Sequence, residues 1–154
     1  AGNYALEQPI PLQMRIPEDI PHAVFAAAGV QRDLSRTPFS SQGPVEWLTS
    51  HYRDGRVDKP EVCAFNFRVP LLPPLGGRPS TTCSGNSFAG PMFCGTIALM
   101  LSANPELKPW ETREIIIRSA TDVGEAGFDF QTGHGLINAF EAVKAAQQRK
   151  RIRR

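Results

Sequence analysis

The run "SFAGPMFCGTIALMLSA", residues 87–103, carries no charged side chain. Apolar or small residues fall all round a helical projection instead of on one stripe, so the expected structure is a helix buried on every side. Seventeen residues lie at the short end of the roughly 17–25 that a membrane span needs. Ser87, Pro91, Thr96 and two glycines, without a basic flank, favour a buried helix over a span. A helix that central needs other layers, or a sheet, beside it. Pro91 has no N–H, so the Ser87 carbonyl loses its helical partner and the first turn is expected to be irregular around the serine.

The rest of the chain supplies such layers. "HAVFAAAGV" (22–30) and "EVCAFNFRV" (61–69) read as short buried strands. Between them lie a turn-rich stretch at 32–44 and a polar loop at 46–60 with an Asp54-Gly55 turn signal. "PLLPPLGGRPSTTC" (70–83), with four prolines and two adjacent glycines, is expected to form no regular structure. "NPELKPWETREIIIRSATD" (104–122) places Pro109 at a first helical position, acids early and Arg118 late, which predicts a second helix. "GHGLINAF" (133–140) reads as a Gly-flanked turn or short strand. Asn138 is placed to cap a third helix in which Phe140, Val143 and Ala146 repeat at helical spacing. Strands alternating with helices predict an α/β fold.

Charge and cysteine content narrow the chemistry. Of 17 basic residues five lie in "RKRIRR" (149–154), leaving 12 against 15 acidic ones, so the body is near −3 and only the tail is basic. That places a domain at 1–148 and a basic tail at 149–154, read as solvated cations at a helix end; no nucleic-acid partner is expected. Cys63, Cys83 and Cys94 are odd in number and lack metal-site spacing, and Cys83 reads as a small buried hydrophobe. The acidic "DVGEAGFD" (122–129) lacks the ligand spacing of a calcium loop and reads as a solvated turn. "AGNYALEQP" at the start has neither the basic nor the apolar region of a signal peptide.

Ser87 stands where a helix begins. Serine is a preferred N-cap, and local pattern alone leaves that reading in front. The same place suits a nucleophile, because helix-start N–H groups favour developing negative charge, provided that a base, an orienting group and oxyanion donors are at hand. The wider pattern changes the balance. "GNSFAGPMFCG" (85–95) resembles the nucleophile signature of the subtilisin-like serine proteases, with Gly85, Ser87, Ala89, Pro91, Cys94 and Gly95 in register. "AGN" (1–3), "FSSQGP" (39–44), "DKPEVCA" (58–64), "LMLSANPELKPWETREIIIRSATDVG" (99–124) and "GHGLINAFEAV" (133–143) resemble the other blocks in the family's order.

The resemblance implies a three-layer subtilisin-like fold, with a mainly parallel sheet flanked by helices and its N-terminal half absent. It implies a serine endopeptidase that acts on polypeptides through an acyl-enzyme on Ser87, with an oxyanion hole made by the Ser87 N–H and the Asn3 side chain. No cofactor is implied for the chemistry; a structural calcium ion is implied by family analogy only. The family's Asp and His precede the oxyanion asparagine, so they are expected upstream and these 154 residues alone are expected to be inactive. None of His22, His51 and His134 has the flanking pattern of the family's base; each reads as an exposed loop histidine, with His51 and Asp54 the nearest to a substitute pair. Two departures stand out: Asn86 replaces the usual threonine, and "CAFNF" (63–67) stands where Ala-Pro-Gly is usual. They keep open an alternative, a pseudoprotease serving as an interaction or scaffold domain. A different hydrolase or a membrane-associated protein with similar helix patterning is a third reading. Substrate preference, oligomeric state and localisation are not legible.

Overall fold

In chain order the elements are β1 (Ala27–Val30), β2 (Val45–Glu46), β3 (Arg56–Val57), β4 (Val62–Phe65), β5 (Val69–Leu71), β6 (Thr81–Cys83), α1 (Asn86–Ala103), α2 (Pro109–Ser119) and α3 (Ala139–Ile152). The computed structural model describes residues 3, 25–46, 56–71 and 81–152. His22, His51 and Asp54 lie outside the described residues, as does the Asp54-Gly55 turn.

β1 and β4 pair in parallel, with Ala27 opposite Val62 and Val30 opposite Phe65. Alternation along the two strands divides the core between two faces. Ala27, Val62 and Ala64 meet Ala89, Phe93 and Met100 of α1, Ile115 and Ile116 of α2, and Ala142 and Ala146 of α3. Ala28, Val30 and Cys63 face the other way, onto Val123 and Leu136. Alanine at two of the three strand positions on this face, Ala27 and Ala64, lets α1 approach closely, and full burial of a side chain such as Met100 or Ile116 contributes roughly 1.5–3 kcal/mol. The architecture is α/β: a parallel strand pair with helices packed on one face and the 121–137 segment on the other.

Local signals set the helix ends. Pro109 is the first residue of α2, and the Lys108 N–H donates to Glu111 Oε2 at 2.9 Å. Asn138 caps α3, its Oδ1 accepting from the Glu141 N–H at 3.1 Å. The α3 face is turned from the expected one: Ala142 and Ala146 are buried, Val143 is half-buried and Phe140 is exposed. α3 continues to Ile152, and Arg149 pairs with Glu111 and Glu114 of α2 at 3.1 and 2.9 Å.

α1 departs from expectation in two ways. Its buried side is only Asn86, Ala89, Phe93, Thr96 and Met100; Ser87, Pro91, Cys94, Ala98, Leu99 and Leu101 are exposed. Among the described elements only β1, β4 and α3 pack substantially on α1, which covers one side. The helix also runs unbroken through Pro91; the lost bond to the Ser87 carbonyl sits in a first turn closed by a tighter contact, Phe88 N–H to the Gly85 carbonyl at 3.0 Å. No helix among the described residues is long and apolar enough to cross a membrane.

The Pro/Gly-rich segment is regular at its two ends, where β5 and β6 pair antiparallel with Pro70 opposite Thr82. Proline is tolerated there because, among the described residues, the β5–β6 ladder has two strands, both of them edges. The polar loop likewise has paired ends, β2 with β3.

Candidate active site

β6 delivers the chain to Gly85, whose φ of 150° is a backbone setting that side-chain-bearing residues rarely adopt. α1 starts at the next residue. Ser87 is therefore the second residue of the helix, exposed, and neither its Oγ nor its N–H has a hydrogen-bond partner among the described residues. It is not the cap: Gly85 holds that position and makes no side-chain bond. Both groups are available to a reactant, at the end of the helix where the dipole favours negative charge.

Asn3 comes to the same turn from 83 residues away. The Asn86 N–H donates to Asn3 Oδ1 at 2.7 Å, and a Cβ at Gly85 would lie 3.3 Å from Asn3 Nδ2. Using the Oδ1 end in this way fixes the amide and leaves its Nδ2 end as a donor beside the serine turn. Asn3 is thus held on the residue that precedes Ser87. The Arg68 N–H donates to Ser84 Oγ at 2.9 Å, and a groove lined by Gln31, Arg32, Asp33, Phe67, Arg68 and Thr82 opens beside that contact.

Beneath the turn lies a network of neutral polar side chains that the sequence reading missed. Asn66 Nδ2 donates to Asn86 Oδ1 at 2.6 Å and to Thr37 Oγ1 at 2.9 Å. Asn86 Nδ2 donates to Ser40 Oγ at 3.1 Å, and the Gly29 N–H donates to the same oxygen at 2.9 Å. The Gly85 N–H donates to the Asn66 carbonyl at 2.8 Å. Thr37, Ser40 and Asn66 are fully buried and Asn86 is 5% exposed. Gly29 is required here, because a Cβ would overlap the Asn66 amide and Asn86 Oδ1. Asn66 and Asn86 were legible as unusual residues; their contact across 20 positions was not.

The other candidates stand apart from Ser87. His134 is half-buried, not an exposed loop histidine, with its ring 5.1 Å from that of Phe128 and its N–H on the Glu61 carbonyl. Burial first, and the Arg113 charge second, lower its pKa. Cys83 is half-buried and Cys94 exposed; Cys63 is buried, and burial, with the Asp129 charge second, pushes its thiol up to about 12. A thiol so rarely ionised is a poor nucleophile. At the start of β4 the side chains of Lys59 and Glu61 form a buried ion pair. Glu61 Oε2 accepts from the Ala26 N–H at 2.8 Å, and Arg113 Nε stands 3.5 Å from Glu61 Oε1.

Among the described residues no group of three or more His, Cys, Asp or Glu side chains is placed to hold a metal ion. The two aspartates of the acidic turn tie their own loop: Asp122 accepts from the Gly127 N–H, and Asp129 from those of Gln131 and Thr132.

Known proteins resemble this chain in sequence and in fold. The chain is 29% identical over 139 residues to a calcium-dependent protease of Nostoc sp., covering 80% of this chain and 21% of that protein. It is 31% identical over 150 residues to bacillopeptidase F of Bacillus subtilis, covering 94% of this chain and 10% of that protein. The chain therefore spans about a fifth or less of the length of these relatives. The crystal structure of fervidolysin from Fervidobacterium pennivorans superposes with a TM-score of 0.61 at 22% identity, over 79% of this chain and 19% of that one, which shows a common fold. The Subtilase family model, of peptidase S8 type, matches residues 1–135, and on that match the chain belongs to the subtilase family.

Proposed function

We propose that this chain is the nucleophile-bearing part of a serine endopeptidase catalytic domain. Ser87 Oγ attacks the carbonyl carbon of a peptide bond while a histidine, held by an aspartate elsewhere in the same polypeptide, takes its proton. The carbonyl oxygen becomes the oxyanion, bound by the Ser87 N–H and Asn3 Nδ2. The tetrahedral intermediate then breaks its C–N bond, the amine leaves with the proton, and water hydrolyses the Ser87 ester. The observation that carries this reading is the Asn3 amide, tied by its Oδ1 to the Asn86 N–H at 2.7 Å beside a serine whose own N–H and Oγ are unengaged among the described residues.

No base reaches Ser87 among the described residues, so the 154-residue chain alone is expected to cleave no peptide. In the full-length protein, a serine-directed fluorophosphonate should label Ser87, and Ser87→Ala should abolish both labelling and peptide cleavage. Asn3→Ala should leave labelling detectable while lowering kcat about 10²-fold or more, an effect already known for the oxyanion asparagine of subtilisin. Absence of labelling in full-length protein of normal stability would leave the pseudoprotease reading, which the two sequence departures at Asn86 and residues 63–67 favour.

A further inference from the structure

The two departures from the subtilisin-like pattern touch each other. Asn86 stands where threonine precedes the nucleophile. With Ala64 placed on the alanine of Ala-Pro-Gly, Asn66 takes the place of the glycine. In space Asn66 Nδ2 donates to Asn86 Oδ1 at 2.6 Å, and both side chains are shut away from solvent. We propose that Asn66 and Asn86 are a compensating pair of positioning residues, one change made in two places, which sets the first turn of α1 and through it Ser87 and Asn3. The proposal rests on the reading of Ser87 as nucleophile and Asn3 as oxyanion donor.

Connectivity supports it. Asn86 is covalently next to Ser87, and its N–H holds Asn3 Oδ1, so any shift of Asn86 moves both proposed catalytic groups together. Asn66 grips the same turn twice, by its side chain on Asn86 and by its carbonyl on the Gly85 N–H. Asn86 in turn reaches Ser40, and Asn66 reaches Thr37, so the pair is anchored on the segment that follows β1. A displacement of about 1 Å at a nucleophile can lower a rate a hundredfold.

Compensation follows from the chemistry of buried amides. Glycine at position 66 with Asn86 retained would leave Asn86 Oδ1 without its Asn66 donor and open a gap beside it. Threonine at 86 with Asn66 retained would deprive Asn66 Nδ2 of the carbonyl oxygen it now uses. A buried polar group stripped of its partner is expensive, whereas removing both members of a pair together can be nearly neutral. Independent drift toward an inactive protein would have no reason to produce two buried amides joined by a direct hydrogen bond.

The test is a double-mutant cycle in the full-length protein: Asn86→Thr, Asn66→Gly and the two combined. The readouts are kcat and KM on a peptide substrate, the rate of Ser87 labelling by a fluorophosphonate, and the urea midpoint. Each single change is expected to lower kcat and labelling on the order of ten- to a hundredfold, with KM altered less than about twofold. The double variant is expected to recover to within about threefold of the parent. Losses that simply multiply in the double variant would overturn the pairing. So would single variants that shift the urea midpoint but leave kcat and labelling intact, since that marks a merely structural role. If Asn66→Gly does not fold, Asn66→Ala closes the same cycle. A parent protein that neither labels nor cleaves would sink the underlying reading of Ser87, an outcome distinct from a labelled parent with an additive cycle.

Discussion

β4 has a buried polar cluster at each end, and the two are built differently. At its amino end Lys59 and Glu61 bring full charges under the surface, with half-buried Arg113 beside them. At its carboxyl end, below Ser87, the groups are amides and hydroxyls only: Asn66, Asn86, Thr37 and Ser40. Buried charges are strongly coupled to one another and answer to pH; breaking such a pair is severe because a bare charge is left behind. Neutral groups lock a geometry through directed hydrogen bonds, and their protonation does not change over any ordinary pH. Placing the neutral cluster under the proposed nucleophile keeps that turn insensitive to the titrations that affect the other end of the strand.

The sharpest way to break this contrast is Glu61→Gln. It keeps the shape and the acceptor for the Ala26 N–H but removes the carboxylate charge paired with buried Lys59, so urea unfolding should show a loss of about 3–5 kcal/mol. Thr37→Val probes the neutral end. It removes the Asn66 Nδ2 contact and the Thr37 hydroxyl's own bond to the Gly29 carbonyl at 3.1 Å, for an expected loss of about 1–3 kcal/mol that is the same at pH 6 and pH 8. A Thr37→Val loss that varied with pH would dissolve the distinction.

The smallest effect belongs to His134, which borders the charged end through the Glu61 carbonyl. Its pKa is lowered from 6.5, by burial first and by Arg113 second, so the folded protein binds fewer protons there than the unfolded chain. Stability should therefore rise with pH from the lowered value up to about 6.5 and fall on acidification through that window. His134→Gln should flatten this segment of a plot of urea midpoint against pH. An unchanged slope would remove His134 from the charged end's pH response.

What was legible in the sequence was local. Pro109 and Glu111 announced the start of α2, Asn138 announced α3, and the Gly85-Asn86-Ser87 order announced the turn. The buried side of α1 was not legible, because a helix without charged residues carries no mark of which side meets the sheet; Leu99 is 56% exposed although nothing in its neighbourhood sets it apart from buried Met100. Lys59 lies at the end of the stretch read as a polar loop, yet it is 1% exposed beside a carboxylate two residues on. Among the candidate site residues, Ser87 and Asn3 were singled out through the order of the blocks. Asn66 with Asn86, and Thr37 with Ser40, form their bonds only after β1 and β4 pair, so no short-range pattern records them.

The bond from the Asn86 N–H to Asn3 spans 83 residues. Closing so long a loop is entropically unfavourable until the intervening chain is already in place. The proposed oxyanion donor therefore reaches its working position late in folding, after β1, β4 and α1 have assembled. A partly folded chain would hold a serine at a helix start with nothing opposite it. Under the proposed function, competence to stabilise an acyl-transfer transition state is then a property of the finished fold.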